Sequence, residues 1–164
     1  GSGKGKSTAA FGMVFRALGN GMKVGVVQFV KGKWETGERA VLEKFPDTCV
    51  IRSMGEGFTW ETQDRERDIA AANGAWDMAK DMMADPSYDM ILLDELNICL
   101  RYDYLNIDEV VATLDERRDM LHVIVTGRNA KDALIEAADL VTEMGQIKHP
   151  FREQNVKAQR GVEF

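Results

Sequence analysis

Apolar residues along the chain follow two alternating rhythms. From Ser7 to Leu18 they fall at helical spacing (Ala9, Ala10, Phe11, Val14, Phe15, Leu18), until Gly19-Asn20-Gly21 stops the pattern. Lys23 to Val30 is then a nearly continuous β-branched run, which is how a strand buried on both faces reads. Residues 31 to 40 are polar and rich in Gly and Lys. Thr48 to Met54 reads as a second strand, and Gly55 to Glu61 as a loop. From Gln63 to Met83 a long helix carries Ile69, Ala72, Trp76, Ala79 and Met83 on one stripe, and Asp85-Pro86 ends it.

The alternation continues to the end. Tyr88 to Leu93 is a buried strand. Ile107 to Leu114 is a helix, with Asn106 as its cap and Glu109 at the third position. Leu121 to Val125 is a strand, Lys131 to Ala138 a short helix and Leu140 to Met144 a short final strand. Gly145 to Phe164 is polar and aperiodic. Methionines 78, 82, 83 and 90 are most simply core fillers. Strands that alternate with helices predict an α/β domain, a mostly parallel sheet with helices on both faces. The 164 residues suit one such domain, and there is no repeat or linker.

The first residues carry the strongest chemical signal. Gly1-Ser2-Gly3-Lys4-Gly5-Lys6-Ser7-Thr8 runs directly into the first helix. Backbone N–H groups in such a turn can cradle phosphate oxygens, and the helix N-terminus favours an anion. Glycines allow the close approach. Lys6 would reach the outer phosphates and Ser7 would hold a divalent ion through its hydroxyl, with Lys4 adding charge. The usual pattern is G-x-x-x-x-G-K-[ST], and its first glycine falls one position before Gly1. A phosphate loop joins a buried strand to a helix, so a strand is expected upstream of Gly1.

Asp94-Glu95 follows the buried run Met90-Ile91-Leu92-Leu93. The carboxyl end of a parallel strand is where such a sheet presents ligands. Asp94 would sit beside Ser7 and hold the metal, with Glu95 completing its shell or polarising water. A helix-capping pair is the other reading. Phe58 and Trp60, two apart in Gly57-Phe58-Thr59-Trp60-Glu61, are either a platform for a flat ligand or plugs of the core. Gln28-Phe29-Val30-Lys31-Gly32-Lys33-Trp34 runs a strand into a basic, aromatic loop, so Lys31 and Lys33 are ligand contacts or solvated charges. Arg128, in Thr126-Gly127-Arg128, could grip phosphate or carboxylate, or form a surface ion pair. His122 reads as structural. His149 is structural or on the surface, and the two make no metal site.

A net charge of −6 does not in bulk offer the basic face that duplex nucleic acid needs, which leaves only local basic patches open. The apolar runs fall well short of a membrane span. Cys49 and Cys99 have no metal spacing and read as free thiols in a reducing compartment.

Taken together these segments resemble the ATP:corrinoid adenosyltransferases of the CobA/BtuR type. The likeness is carried by the stretch from Gly1 to Gly12, Val26 to Gly32, Gly57 to Gln63, Leu92 to Leu96, Thr126 to Arg128, Ile147 to His149 and Val156 to Gly161. It implies a P-loop NTPase fold of the RecA-like kind, one domain over 1–164 lacking the family's first strand and N-terminal helical segment. The implied reaction moves the 5′-deoxyadenosyl group of ATP to the Co(I) centre of a corrinoid and releases inorganic triphosphate. The implied ATP and corrinoid contacts are Gly1 to Thr8, Gln28, Lys31, Phe58, Trp60 and Arg128. Ser7, Asp94 and Glu95 would hold Mg2+ or Mn2+. Lys6, Phe58 and Trp60 carry the catalytic roles, the two aromatics packing below the corrin ring. A reduced flavin or flavoprotein donor, a homodimer and a cytoplasmic location are implied as well. A P-loop NTPase or kinase acting on another substrate, or a non-catalytic corrinoid or nucleotide-binding regulator, would use much of the same hardware.

Overall fold

The computed structural model describes residues 1–30, 36–53 and 64–162. Lys31, Lys33, Trp34 and the aromatic pair Phe58 and Trp60 lie outside the described residues. Among the described residues the elements are α1 (Lys6–Gly19), β1 (Val24–Gln28), α2 (Gly37–Leu42), β2 (Cys49–Ser53) and α3 (Arg65–Ala84). They continue with β3 (Met90–Asp94), α4 (Leu96–Arg101), α5 (Ile107–Asp115), β4 (His122–Val125), α6 (Asp132–Ala137) and α7 (Pro150–Gln154).

The strands form one parallel sheet in the order β2-β1-β3-β4. β1 and β3 lie at its centre, and their continuous apolar runs leave Val24, Val26, Val27, Ile91, Leu92 and Leu93 with no exposure at all. Because side chains alternate across a strand, each run feeds both faces. Val24, Val26, Met90 and Leu92 pack with Ala10, Phe11, Val14 and Ala17 of α1 and Leu42 of α2. Val27, Ile91 and Leu93 pack with Trp76, Ala79 and Met83 of α3, and with Leu96, Leu100, Val110 and Leu114 of α4 and α5. The expected α/β architecture with helices on both faces is therefore present.

Local signals set the ends. Asp64 accepts a hydrogen bond from Arg67 N at the start of α3. Asn106 Oδ1 accepts from Asp108 N and Glu109 N at 2.8 and 3.3 Å, so it caps α5 as its sequence predicts. Met82, Met83 and Met90 are buried and Met78 packs against the core.

One expected element is absent. Leu140 to Met144 forms no strand, and Leu140 is 83% exposed. A strand exists only as part of a ladder, and this segment's backbone bonds the phosphate loop instead, with Gly3 N donating to Met144 O at 2.7 Å. Among the described residues, three helices arise where none was expected. α2, α4 and α7 are each six residues or fewer, too short to show a helical period.

Leu93→Ala should destabilise the protein by about 2–5 kcal/mol, since it opens a cavity between β3 and α3. Urea unfolding should show a lower midpoint at unchanged slope.

Candidate active site

All four strands run the same way, so their carboxyl ends lie side by side. The register pairs Gln28 of β1 with both Ser53 of β2 and Asp94 of β3, and Thr126 follows Val125 at the end of β4. The chain turns into α1 beside this row. Gly5 precedes α1 with φ 96°, a left-handed conformation that suits glycine. Gly3 has a different constraint. A Cβ there would stand 2.5 Å from Gly145 O, so it is the 144–145 backbone that excludes a side chain. Gly1 abuts Met144 in the same way. The expected reason, access for phosphate, is not the contact that the structure shows at these two positions.

Lys6 opens α1, and its Nζ donates to the Gly3 carbonyl within the loop. Ser7 follows, and its Oγ donates to Asp94 Oδ1 at 3.3 Å. The phosphate loop and the acidic strand end are thus in contact. Ser2, Lys4 and Thr8 are exposed around them.

Asp94 is 5% exposed and well provided with donors. Thr126 Oγ1 donates to Oδ1 at 2.8 Å, and Gln28 Nε2 to Oδ2 at 3.3 Å. Thr126 Oγ1 in turn accepts from Glu95 N at 2.9 Å. A buried carboxylate that accepts several hydrogen bonds is fixed in orientation.

Glu95 is placed differently. It lies before α4 at φ 62°, and its side chain makes no capping hydrogen bond, so the capping alternative does not hold. Its Oε2 is buried with no hydrogen-bond partner. Burial raises the Glu95 pKa, the charge on Asp94 raises it further, and Lys6 and Arg128 oppose this. Lys6 is shifted down by burial and then by Arg128, with Glu95 opposing. Arg128, on the exposed turn after Thr126, therefore stands close enough to act on both.

Of the expected site residues, the structure brings together the loop from Gly1 to Thr8 with Gln28, Asp94, Glu95 and Arg128. His149 caps α7, its Nδ1 accepting from Phe151 N, and it plays the structural part. Among the described residues no group of three or more His, Cys, Asp and Glu side chains could by itself hold a metal ion. Ser7, Asp94 and Glu95 nonetheless make a set of hard oxygen donors, and the partnerless Glu95 Oε2 fits a divalent cation. Sequence reasoning missed Thr126, the residue that orients Asp94 and joins it to Glu95. A hydroxyl just past a strand end was the available signal.

The site pairs a glycine-rich turn at the start of α1 with an acidic strand end. The family model described as ATP:corrinoid adenosyltransferase BtuR/CobO/CobP matches residues 1–164. A corrinoid adenosyltransferase from Sinorhizobium sp is 60% identical over 166 residues, spanning 100% of this chain and 77% of the relative. Proteins of the same name from Pseudomonas aeruginosa and Escherichia coli (strain K12) are 58% and 51% identical, spanning 100% of this chain and 80% and 82% of those relatives. The chain belongs to the ATP:corrinoid adenosyltransferase family. It is an enzyme of adenosyl transfer, whose product is adenosylcobalamin or an adenosylated corrinoid precursor.

Glu95→Gln should stabilise the ligand-free protein at neutral pH, because the ionised side chain is costly in the folded state. With the folded pKa raised, the gain should shrink as pH falls through that pKa and vanish below the ordinary glutamate value. Melting temperatures of both proteins against pH check the sign.

Proposed function

We propose that the loop from Gly1 to Thr8 holds the triphosphate of ATP and that the Co(I) of the corrinoid attacks the ribose C5′. A cobalt–carbon bond forms with the electron pair of the reduced metal, the C5′–O bond breaks, and inorganic triphosphate leaves with that bond's electrons. The attack removes no proton, so no protein base is needed. The observation that carries this reading is the contact of Ser7 with Asp94, beside a glutamate oxygen that has no partner.

Lys6 and the loop N–H groups stabilise charge on the leaving triphosphate, and Lys6 exchanges its bond to Gly3 for a phosphate oxygen. Ser7, Asp94 and Glu95 would hold Mg2+ or Mn2+, which supplies positive charge to the phosphates. Gln28 stands at the ligand edge, held against Asp94. Arg128 faces the same site. Lys31, Phe58 and Trp60 take the parts that the family resemblance implies. The lysine contacts ligand, and the aromatics form an apolar face under the corrin ring that displaces its lower axial ligand and excludes water. With that ligand gone, Co(II) is easier to reduce, because the added electron enters the axial orbital.

The finer fold reading is a RecA-like P-loop NTPase, supported by a parallel sheet whose central strand ends in the acidic pair. A homodimer and a separate reduced flavin or flavoprotein donor complete the proposal. A cytoplasmic location is consistent with Cys49 and Cys99, both free and buried. Among the described residues no helix is long and apolar enough to cross a membrane.

Full-length protein, incubated anaerobically with chemically generated cob(I)alamin and Mg-ATP, should give a light-sensitive adenosylcobalamin spectrum and stoichiometric triphosphate. ADP and phosphate without a cobalt–carbon bond would instead mark an NTPase or kinase. Lys6→Ala should lower kcat by about a hundredfold or more, as loss of a preorganised charge at the leaving group does. Phe58→Ala and Trp60→Ala should depress turnover from Co(II) far more than ATP binding. Equal losses of both would remove the aromatic face from the mechanism.

A further inference from the structure

A line of polar groups crosses the carboxyl edge of the sheet and leaves the site that the family motifs mark. Arg39 of α2 donates from Nη1 to Ser53 Oγ at 2.9 Å. Ser53 Oγ donates to Gln28 Oε1 at 2.8 Å, and Gln28 Nε2 donates to Asp94 Oδ2 at 3.3 Å. Neither Arg39 nor Ser53 belongs to the phosphate loop or the acidic pair.

The direction of this line is fixed from both ends. A guanidinium can only donate, and a carboxylate can only accept. Asp94 therefore requires Gln28 to present its NH2, which turns the amide oxygen toward Ser53. That oxygen requires a donor, so the Ser53 hydroxyl points at Gln28 and leaves its lone pair to Arg39. Only one arrangement of the middle groups satisfies all three bonds. Without the Ser53 hydroxyl, the Gln28 amide oxygen loses its donor, and of these bonds only the one to Asp94 still holds the side chain in place.

We infer that Arg39 and Ser53 are positioning residues, acting through Gln28 to aim the Asp94 carboxylate at the divalent cation of the nucleotide complex. The inference rests on the reading of Asp94 as a metal-holding residue, and the experiment separates the two. Arg39 adds a second contribution. Its Nε is paired with Glu43 at 2.9 Å one turn along α2, which holds the guanidinium in place to donate from Nη1.

The test is Mn2+ binding to the full-length protein saturated with ATP, without corrinoid, read from the electron paramagnetic resonance of free Mn2+. Ser53→Ala should weaken Mn2+ binding about three- to tenfold, the factor that one neutral hydrogen bond supplies. ATP binding without metal should not move. Ser53→Thr keeps the hydroxyl and should restore Mn2+ affinity. The double variant Ser53→Ala/Gln28→Ala should bind Mn2+ no more weakly than Gln28→Ala alone, since Ser53 acts through Gln28. Arg39→Met leaves every strand residue intact and should shift Mn2+ affinity in the same direction, which serves if Ser53→Ala does not fold. A lower melting temperature with parental Mn2+ affinity in Ser53→Ala or Arg39→Met, while Asp94→Asn loses the ion, would overturn the relay and leave the metal site standing. Parental Mn2+ affinity in Asp94→Asn would overturn both.

Discussion

The Asp94 carboxyl group stands in a place almost closed to water, and much of this end of the molecule is arranged to supply it with hydrogen bonds. A buried carboxylate without donors would cost several kcal/mol. Here the parallel register supplies the donors. β1 sets Gln28 level with Asp94, the turn after β4 sets Thr126 level with it, and α1 starts where Ser7 can reach it. None of these groups is near Asp94 in sequence. Gln28 and Thr126 arrive because the apolar runs of β1 and β4 place them there, and the packing of Leu92 and Leu93 is likewise what aims the carboxylate.

The adjacent glutamate shows the opposite condition. Asp94 and Glu95 are neighbours in sequence and share Thr126 as a connecting group, yet one carboxylate accepts three side-chain hydrogen bonds and the other has a buried oxygen with no partner. The left-handed turn at Glu95 lets α4 begin directly after β3. Lys6 and Arg128 bring positive charge near the unpartnered group. Such a set of charges is incomplete alone and is well matched to a ligand that combines phosphate with a divalent ion.

The architecture was legible because its two central strands are buried on both faces and so read as unbroken apolar runs, as at Lys23 to Val30 and Met90 to Leu93. The glycine-rich first turn and the acidic pair, which meet at Ser7 and Asp94, stood out as short motifs. What failed did so for physical reasons. Leu140 to Met144 has strand composition, but composition supplies no neighbouring strand to bond. α2 and α4 are shorter than two full turns of helix, and α2 buries only Leu42. The polar line through Arg39 and Ser53 is invisible in the chain because only the sheet register joins its members.

That line also restricts which sequences can carry the site. Gln28→Glu keeps nearly the same shape yet replaces a donor by an acceptor, setting two carboxylates face to face. Ser53→Cys keeps the size but offers a weak donor over a longer bond. Shape-preserving exchanges are thus the harmful ones here, whereas Thr for Ser keeps the logic intact. Across a diverging set of such chains, variation at Gln28 and Ser53 should be limited by the polarity of hydrogen bonds, while β1 and β3 alongside them tolerate any apolar residues that fill the same volume.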